Sequence, residues 1–172
     1  LLSDEISRLK GNPLICKTGH TFIKQKIRET SAYLGGEMSG HIFFNDRWPG
    51  FDDGIYAGAR MLEIIANTND KNVFESVPNL VSTPEINIRA ADDLKFQIVD
   101  QFIKDSEFDS ANIIDIDGIR VEFKKGWGLL RASNTSPFLV LRFEAETEQE
   151  LTKIKEIFYM NLKKIEPNTD RF

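Results

Sequence analysis

Two apolar runs joined by a short polar segment lie in the second half of the chain, as WGLLRASNTSPFLVLRF at residues 127–143. Short apolar runs bounded by Ser, Asn and Pro are typical of β-strands that end in turns. The stretch predicts a strand over 127–131, a connection over 132–137 and a second strand over 138–143. Strands with so short a connection pair in antiparallel fashion, so we expect this hairpin inside an antiparallel sheet.

The segments around this hairpin complete an α+β pattern. Three further strands are expected over 85–89, 113–116 and 119–123. Apolar residues at helical spacing predict a helix over 92–104, with Asp92 as its N-cap, and another over 147–165. The residues expected to face inward are Phe96, Val99 and Ile103 in the first helix and Leu151, Ile154, Phe158 and Leu162 in the second. We predict a small α+β domain, an antiparallel sheet with helices on one face.

Helices and strands alternate in the first 67 residues. The first helix is expected over 1–10 and the second over 20–33, where Gly35-Gly36 would end it. The third is expected to run from an N-cap at Asp52-Asp53 to residue 67. Short strands are expected over 13–16 and 41–44. The inward residues would be Phe22, Ile23 and Ile27 in the second helix and Ile55, Ala59, Leu62 and Ile65 in the third. This alternation predicts an α/β unit, in which helices flank a mixed, partly parallel sheet; the resemblance described below implies that it is a partial domain.

Residues 67–84 differ from both flanking regions. They begin with Asn67-Thr68-Asn69-Asp70 and contain Pro78 and Pro84, a composition typical of linkers and turns. We place a domain boundary near residues 70–75. The predicted domains are then residues 1–72 and residues 73–172.

The composition limits the possible partners. The 172 residues include 41% hydrophobic and 28% charged residues, the usual balance of a globular protein. The net charge of −5 argues against a nucleic-acid partner, which normally binds a basic face. The single Cys16 fits a reducing compartment, and no apolar run approaches the roughly 18 residues of a membrane helix. We expect a cytoplasmic protein without nucleic-acid or membrane partners.

The connection of the hairpin concentrates hydrogen-bond donors. Arg131-Ala132-Ser133-Asn134-Thr135 combines a guanidinium, two hydroxyls and an amide, which together suit a phosphate. The other interpretation is an ordinary polar turn with Arg131 in solvent. A second candidate anion contact is Lys17, in a turn at a helix start. That turn is equally explained as a helix start capped by Thr18.

A second polar cluster follows two glycines, in Gly36-Glu37-Met38-Ser39-Gly40-His41. In an extended segment, alternation would place Glu37, Ser39 and His41 on one side. A carboxylate and a hydroxyl suit sugar hydroxyls, and an imidazole exchanges protons near neutral pH. The other interpretation is the start of a strand after a Gly-Gly turn, with Glu37 in solvent. If both polar clusters face one cleft, the ligand is a phosphosugar.

Two patterns raise the question of a metal site. His20 and His41 are the only histidines and would need Glu37 to bind zinc or iron, but an HExxH helix and a thiolate cluster are absent. Asp115-Ile116-Asp117-Gly118 begins like a cation loop but lacks the Glu at the twelfth position. We expect no metal at either place and a hairpin turn at Asp117-Gly118.

Four stretches of the chain occur together in one known superfamily. They are KTGH at 17–20, GEMSGH at 36–41, RWPGFDDGIYAGARMLEI at 47–64 and RASNTSP at 131–137. In this order they resemble the α-D-phosphohexomutase superfamily, in particular its bacterial phosphomannomutase/phosphoglucomutase members. The phosphoglucosamine mutase branch, the alternative, usually carries Gln in place of Met38 and a Gly-containing phosphate loop. The resemblance implies the latter part of the family's third domain and all of its fourth.

The resemblance also implies roles for the polar residues. The sugar would be bound by His20, Glu37 and Ser39, and the phosphate that is not transferred by Arg131, Ser133, Asn134 and Thr135. His41 would be the general acid/base, and Lys17 would shape its loop. The family moves a phosphate between O1 and O6 of mannose or glucose, through an active-site phosphoserine and a hexose 1,6-bisphosphate.

Two motifs of the superfamily have no counterpart in this sequence. They are the phosphoserine loop of the Ser-His-Asn-Pro type and the Asp-Gly-Asp-Gly-Asp-Arg loop that binds Mg²⁺. Together with the first residue, which is not Met, this predicts the C-terminal part of a phosphohexomutase that needs the N-terminal domains of the same protein. We expect the chain alone to bind phosphosugar weakly and not to turn it over. The alternative is a stand-alone phosphosugar-binding module without catalysis.

Overall fold

The computed structural model describes residues 2–69, 75 and 78–172. The chain divides into two compact units, Leu1–Pro78 and Asn79–Phe172, and each is described by itself. The boundary expected near residues 70–75 falls, apart from residue 75, outside the described residues. The division into domains 1–72 and 73–172 stays a prediction.

Three helices and a two-stranded sheet make up the described part of the first unit. They are α1 (Leu2–Arg8), α2 (His20–Thr30), β1 (Leu34–Gly36), β2 (Ile42–Phe44) and α3 (Gly54–Asn67). β1 and β2 pair antiparallel. Ile23 and Ile27 of α2 pack with the fully buried Phe43 of β2 in a small core. The helices expected over 1–10 and 20–33 and the strand expected over 41–44 are confirmed within a few residues.

The break expected at Gly35-Gly36 is wrong, because these glycines lie inside β1. α2 already ends at Thr30, and Ser31 follows in the left-handed conformation with φ 54°. A Cβ on Gly35 would lie 2.8 Å from Ile23 Cγ2 and 2.9 Å from Ile27 Cδ1. Glycine is therefore needed where β1 packs closely against α2.

Helix α3 begins as predicted but exposes the residues that were expected inside. Its N-cap Asp53 accepts a hydrogen bond from the N–H of Tyr56 (2.9 Å). The expected inward residues are exposed, namely Ile55 (89%), Leu62 (67%), Ile65 (47%) and Ala59. α3 packs on β2 through Tyr56 and through the Arg60 guanidinium, which lies 4.3 Å from the centre of the Phe44 ring. The burial prediction is wrong because the described residues of this unit provide no second layer for the apolar stripe.

The strand expected over residues 13–16 does not form. Leu14 and Ile15 are 52% and 45% exposed, and no described strand of the first unit pairs with this segment. An extended segment becomes a strand only where a neighbour takes up its hydrogen bonds. Phe22, expected on the apolar side of α2, is also 45% exposed. The α/β class of this unit is confirmed, but its described strands pair antiparallel, so the expected partly parallel pairing is not found among the described residues.

The second unit is an antiparallel sheet with two helices. Its elements are β3 (Val81–Ser82), β4 (Ile86–Arg89), α4 (Lys95–Asp105), β5 (Asn112–Ile114), β6 (Ile119–Phe123), β7 (Gly126–Ala132), β8 (Phe138–Ala145) and α5 (Glu148–Ile165). The strand order is β3-β8-β7-β6-β5, and β4 also pairs with β8. The buried residues of α4 and α5 share one core with alternate residues of β6, β7 and β8. The predicted α+β domain with helices on one face is confirmed.

A bulge separates β3 from β4 along the edge of the sheet. The register of the pairing with β8 changes by one residue between them. Here the N–H of Thr83 donates to Phe143 O (2.9 Å), and the N–H of Phe143 donates to Thr83 Oγ1 (3.1 Å). Pro84 lacks an N–H and cannot continue the ladder. The sequence predicts only a linker over 67–84, because a two-residue strand shows no periodicity.

The sequence predictions are confirmed for helix α5 and only partly correct for helix α4. In α5, Thr147 Oγ1 accepts from the N–H of Glu150 (3.3 Å), and all four expected inward residues are buried. α4 begins at Lys95 after an N-cap at Leu94, so the predicted cap at Asp92 is wrong. The buried residues of α4 include Ile98, Val99 and Phe102, whereas Ile103 is half-buried and Phe96 is 50% exposed. None of the described helices is long and apolar enough to span a bilayer.

Candidate functional site

Residues 133–137 connect β7 to β8 and form what we call the candidate phosphate loop. At its base, the N–H of Ser133 donates to Phe138 O (2.9 Å). Ser133 Oγ accepts from the N–H groups of Thr135 (3.4 Å) and Ser136 (3.2 Å). Because this oxygen only accepts in these contacts, its own hydrogen remains for a ligand. The Ser133 hydroxyl thus shapes the loop, which the sequence did not indicate.

Three of the predicted phosphate-binding side chains carry unused donors. Within the part of the chain that the structure describes, the side chains of Arg131, Asn134 and Thr135 have no hydrogen-bond or ion-pair partner. Asn134 and Thr135 are exposed, and Arg131 is half-buried. Arg131 lies opposite Val140 in the β7–β8 ladder, next to the base of the loop. A guanidinium, an amide and a hydroxyl beside one loop can bind an anion through several directed hydrogen bonds.

Two contacts fasten this loop to the segment that leads into α4. The N–H of Ala90 donates to Pro137 O (3.0 Å), and Lys95 Nζ donates to Ser136 O (2.9 Å). Lys95 is 4% exposed, and its ammonium also donates to Asp92 Oδ1 (2.7 Å). Sequence reasoning missed Lys95 because 41 residues separate it from Ser136. The available signal was a lysine in the first turn of a helix, where the helix dipole disfavours a cation.

In the first unit, a tight turn between β1 and β2 carries the second polar cluster. The N–H of Glu37 donates to His41 O (3.0 Å), and the N–H of Gly40 donates to Glu37 O (3.0 Å). Gly40 has φ 92°, which favours glycine. The expected extended segment is therefore wrong, and so is a strand that starts after a Gly-Gly turn. Glu37 is half-buried, and Ser39 and His41 are exposed on the same short turn.

His41 has a carboxylate partner that sequence reasoning missed. Its Nδ1 lies 2.8 Å from Asp52 Oδ2, and the two side chains are 51% and 27% exposed. Asp52 forms a β-bridge with Phe43, two residues beyond His41. An ionised carboxylate only accepts, so in the neutral ring Nδ1 carries the hydrogen and Nε2 is free to take up a proton. The Asp52-Asp53 pair predicts only a helix cap, a role that Asp53 takes alone.

An ion-pair network holds the segment before α3 against that helix. Arg60 Nη1 donates to Asp46 Oδ1 (2.7 Å), and Arg47 makes two contacts with Glu63 (2.9 and 2.5 Å). The hydrogen bond from Arg60 lowers the pKa of Asp46 to about 2, and that from Arg47 lowers the pKa of Glu63. Three of these four side chains belong to the stretch 47–64. They fix the segment that presents Asp52 to the imidazole.

The remaining predicted residues lie at the start of α2 and in the second unit. His20 is the first residue of α2, and both it and Lys17 are exposed. The N-cap is Gly19, with φ 124°, instead of Thr18. The turn expected at Asp117-Gly118 joins β5 to β6 and is confirmed, with φ 73° at the glycine. The described residues contain no group of three or more His, Cys, Asp or Glu side chains that would hold a metal ion.

Comparison with known protein families assigns residues 1–83 and 85–159. Two models of one family match it, the phosphoglucomutase/phosphomannomutase alpha/beta/alpha domain III over residues 1–83 and the C-terminal domain over residues 85–159. The chain belongs to the phosphoglucomutase/phosphomannomutase family. Within that family it corresponds to the C-terminal portion, as the four sequence stretches predict.

Individual relatives agree with this assignment. The phosphomannomutase/phosphoglucomutase of Pseudomonas syringae pv. tomato is 52% identical over 171 residues, which are 98% of this chain and 37% of that protein. The phosphoglucomutase of Neisseria meningitidis serogroup A is 50% identical over 161 residues, 92% of this chain and 35% of that protein. A crystal structure of a phosphoglucomutase/phosphomannomutase family protein from Burkholderia thailandensis matches with a TM-score of 0.91 and 45% identity, and covers 99% of this chain and 37% of that one. The chain thus spans little more than a third of these relatives.

Proposed function

We propose that this chain supplies the sugar-binding and phosphate-binding loops of a phosphohexomutase that interconverts hexose 1-phosphate and hexose 6-phosphate. Mannose and glucose phosphates are the proposed substrates, in line with the names of the relatives. The observation that carries the proposal is the candidate phosphate loop, in a chain of this family, with donors that are unused among the described residues. The proposed route runs through an active-site phosphoserine and a hexose 1,6-bisphosphate.

The phosphate loop is proposed to bind the phosphate group that is not being transferred. Arg131 would bind two of its oxygens through charge-assisted hydrogen bonds, and Ser133, Asn134 and Thr135 would donate to the others. The hydrogen bonds to Ser133 Oγ already order the loop, so binding costs little further conformational entropy. A firm hold on this phosphate keeps the bisphosphate bound while it reorients, which is a positioning contribution to catalysis.

The β1–β2 turn is proposed to bind the sugar. Glu37 would accept hydrogen bonds from sugar hydroxyls, and Ser39 would donate or accept as the orientation demands. His20, at the start of α2, is proposed as a further sugar contact, and Lys17 as a residue that shapes the turn before it. A substrate that must bind both ways round favours such short polar contacts over a close-fitting apolar pocket.

His41 is proposed to be the general acid/base. Its Nε2 would take the proton from the sugar hydroxyl that attacks the phosphoryl group and return it in the reverse direction. Asp52 accepts from Nδ1 at 2.8 Å, which keeps the neutral ring in the tautomer with Nε2 unprotonated. It also stabilises the imidazolium that forms.

The phosphoserine and the Mg²⁺ site are proposed to belong to the N-terminal domains of the intact protein. The described residues offer no three-ligand cluster for a metal, so they do not fit Mg²⁺, and no step above depends on it. The chain alone is then expected to bind phosphosugar without turnover. The cytoplasm is the proposed compartment, in line with the single Cys16.

A two-dimensional NMR titration of the chain with mannose 1-phosphate and glucose 1-phosphate tests the proposal. Unphosphorylated glucose and the Arg131→Gln chain are the matched controls. We expect shifts at residues 131–135, with or without residues 37–41, for the phosphosugars only. A folded chain without shifts at millimolar ligand contradicts binding by these loops themselves. Binding at micromolar concentration would instead favour the stand-alone module.

A further inference from the structure

Lys95 is a buried cation at a position that does not favour one. Its side chain is 5% exposed, and it is the first residue of α4. The N-terminal end of a helix carries a partial positive charge, which repels an ammonium. Burial also removes the ammonium from water, at a cost that its ion pair only partly offsets, and apolar replacements of buried ion pairs are often neutral or stabilising. Folding alone therefore does not explain a lysine here.

The contacts of the Lys95 ammonium do offer an explanation. It donates to Ser136 O (2.9 Å), which also accepts from the N–H of Phe138 (2.8 Å). Both lone pairs of this carbonyl are thus in use. Pro137 has no N–H, so the contacts that tie Ser136 and Pro137 to residues outside the loop are made by their two carbonyl groups. Lys95 supplies the one charged donor among these contacts.

We propose that Lys95 is a positioning residue of the candidate phosphate loop, a proposal that rests on the function proposed above. It holds the Ser136 carbonyl, a partial negative charge, on the α4 side of the loop. Without the ammonium, this oxygen keeps only the hydrogen bond from the N–H of Phe138. It is then held less firmly on the α4 side and can approach a bound anion, which it repels. The N–H groups of Thr135 and Ser136 then depend on their hydrogen bonds to Ser133 Oγ alone, and we expect them to be less firmly placed. The ammonium also places a positive charge next to Ser136 of the candidate phosphate loop, which favours an anion there.

Titration of the chain with inorganic phosphate, followed by NMR, tests this role. The Lys95→Met variant keeps the apolar stem and removes the ammonium. The matched control is Lys104→Met, which changes the same charge at an exposed position of the same helix. For Lys95→Met we expect about a tenfold loss of phosphate affinity, the low end for a hydrogen bond from a charged group. The loop amides of Thr135 and Ser136 should exchange faster with solvent, while the amides of β6 and β7 stay as in the unmodified chain.

The outcomes separate this proposal from the one on which it rests. If the unmodified chain binds phosphate and Lys95→Met binds it as well as Lys104→Met does, Lys95 has no positioning role and the proposed function stands. If the unmodified, folded chain does not bind phosphate, the anion site fails and the role of Lys95 fails with it. A uniform loss of amide protection across the whole second unit would also overturn it, since that result marks a purely structural residue.

A measurement on the unmodified chain keeps the proposal testable if Lys95→Met does not fold. The hydrogens of a held ammonium exchange slowly enough to be observed by ¹H–¹⁵N NMR, unlike those of solvated lysines. We expect a separate signal from Lys95 that shifts when phosphate saturates the loop. A Lys95 ammonium that exchanges like the exposed lysines, or does not respond to phosphate, would overturn the proposal.

Discussion

Gly128 in β7 allows a stability prediction that can be worked from distances. A Cβ at this position would lie 2.5 Å from Phe158 Cε2, 2.8 Å from Phe158 Cζ and 3.0 Å from Phe143 Cδ1. Carbon atoms in contact normally lie about 3.5–4.0 Å apart, so the Phe158 ring must move by about 1 Å. The ring is fully buried and packs on Phe102, Phe108 and Phe143, so it has little room to move. Overpacking of this kind costs about 1–3 kcal/mol, and we expect about 2 kcal/mol for Gly128→Ala.

Urea unfolding in a Trp48→Phe background, which leaves Trp127 of β7 as the remaining tryptophan, measures this loss by fluorescence. With a slope of about 2 kcal/mol per M, the midpoint should fall by about 1 M. The Phe158→Leu background removes the atoms that clash, so there the alanine should cost less than about 0.5 kcal/mol. Equal losses in both backgrounds would refute the reasoning. Gly58→Ala, in α3 where an added Cβ meets open space, is the control that should leave the Trp127 transition unchanged.

Three further predictions concern the candidate sites. In the intact phosphohexomutase proposed above, Arg131→Ala should raise KM through the loss of a charge-assisted contact of about 1.5–3 kcal/mol. Unchanged kinetics would remove the phosphate assignment. Asp52→Asn should lower kcat about tenfold with little change in KM. It should also alter the ¹⁵N shifts of the His41 ring, because the carboxylate favours the Nδ1–H tautomer. Unaltered shifts would contradict the role of Asp52 in setting the tautomer. Arg60 lowers the pKa of Asp46 from 3.8 to about 2. The Asp46–Arg60 ion pair therefore stabilises the first unit above pH 3.8, and this stabilisation is lost as the pH falls through 2. Asp46→Asn should remove this contribution to acid unfolding, as followed by circular dichroism during a pH titration. An unchanged unfolding profile would exclude the contribution of the ion pair.

The second unit could be predicted from the sequence because its elements bury their faces against one another. The hairpin over 127–143 shows two apolar runs bounded by Ser, Asn and Pro, and the helix over 147–165 shows a clear period of 3.6 residues. The partner for each apolar face lies within the same unit. The predicted start of α4 was wrong by three residues because of a local contact. Asp92 has the right chemistry for a cap, but its carboxylate binds the Lys95 ammonium instead.

The first unit could be predicted less well because its apolar patterns have no partner in the described residues. The stripe of α3 and the segment 13–16 both have the pattern of buried elements, yet the stripe and the residues Leu14 and Ile15 are exposed. Periodicity reports that a face is built for burial, and it does not report where the covering layer is. The polar residues were found from motifs, whereas Asp52 and Lys95 were missed because each acts on a group that only the fold brings close.

Asp52 and Lys95 support the two candidate loops in a similar way. Each is a charged residue outside the loop in question that fixes one polar group of it, the Nδ1 of His41 in one case and the carbonyl of Ser136 in the other. A loop ordered before the ligand arrives has already lost its conformational entropy on folding, so more of the contact energy remains for binding. The charges of Asp52 and Lys95 also match the proposed chemistry. A carboxylate stabilises an imidazole that gains a proton, and an ammonium stabilises a loop that receives an anion.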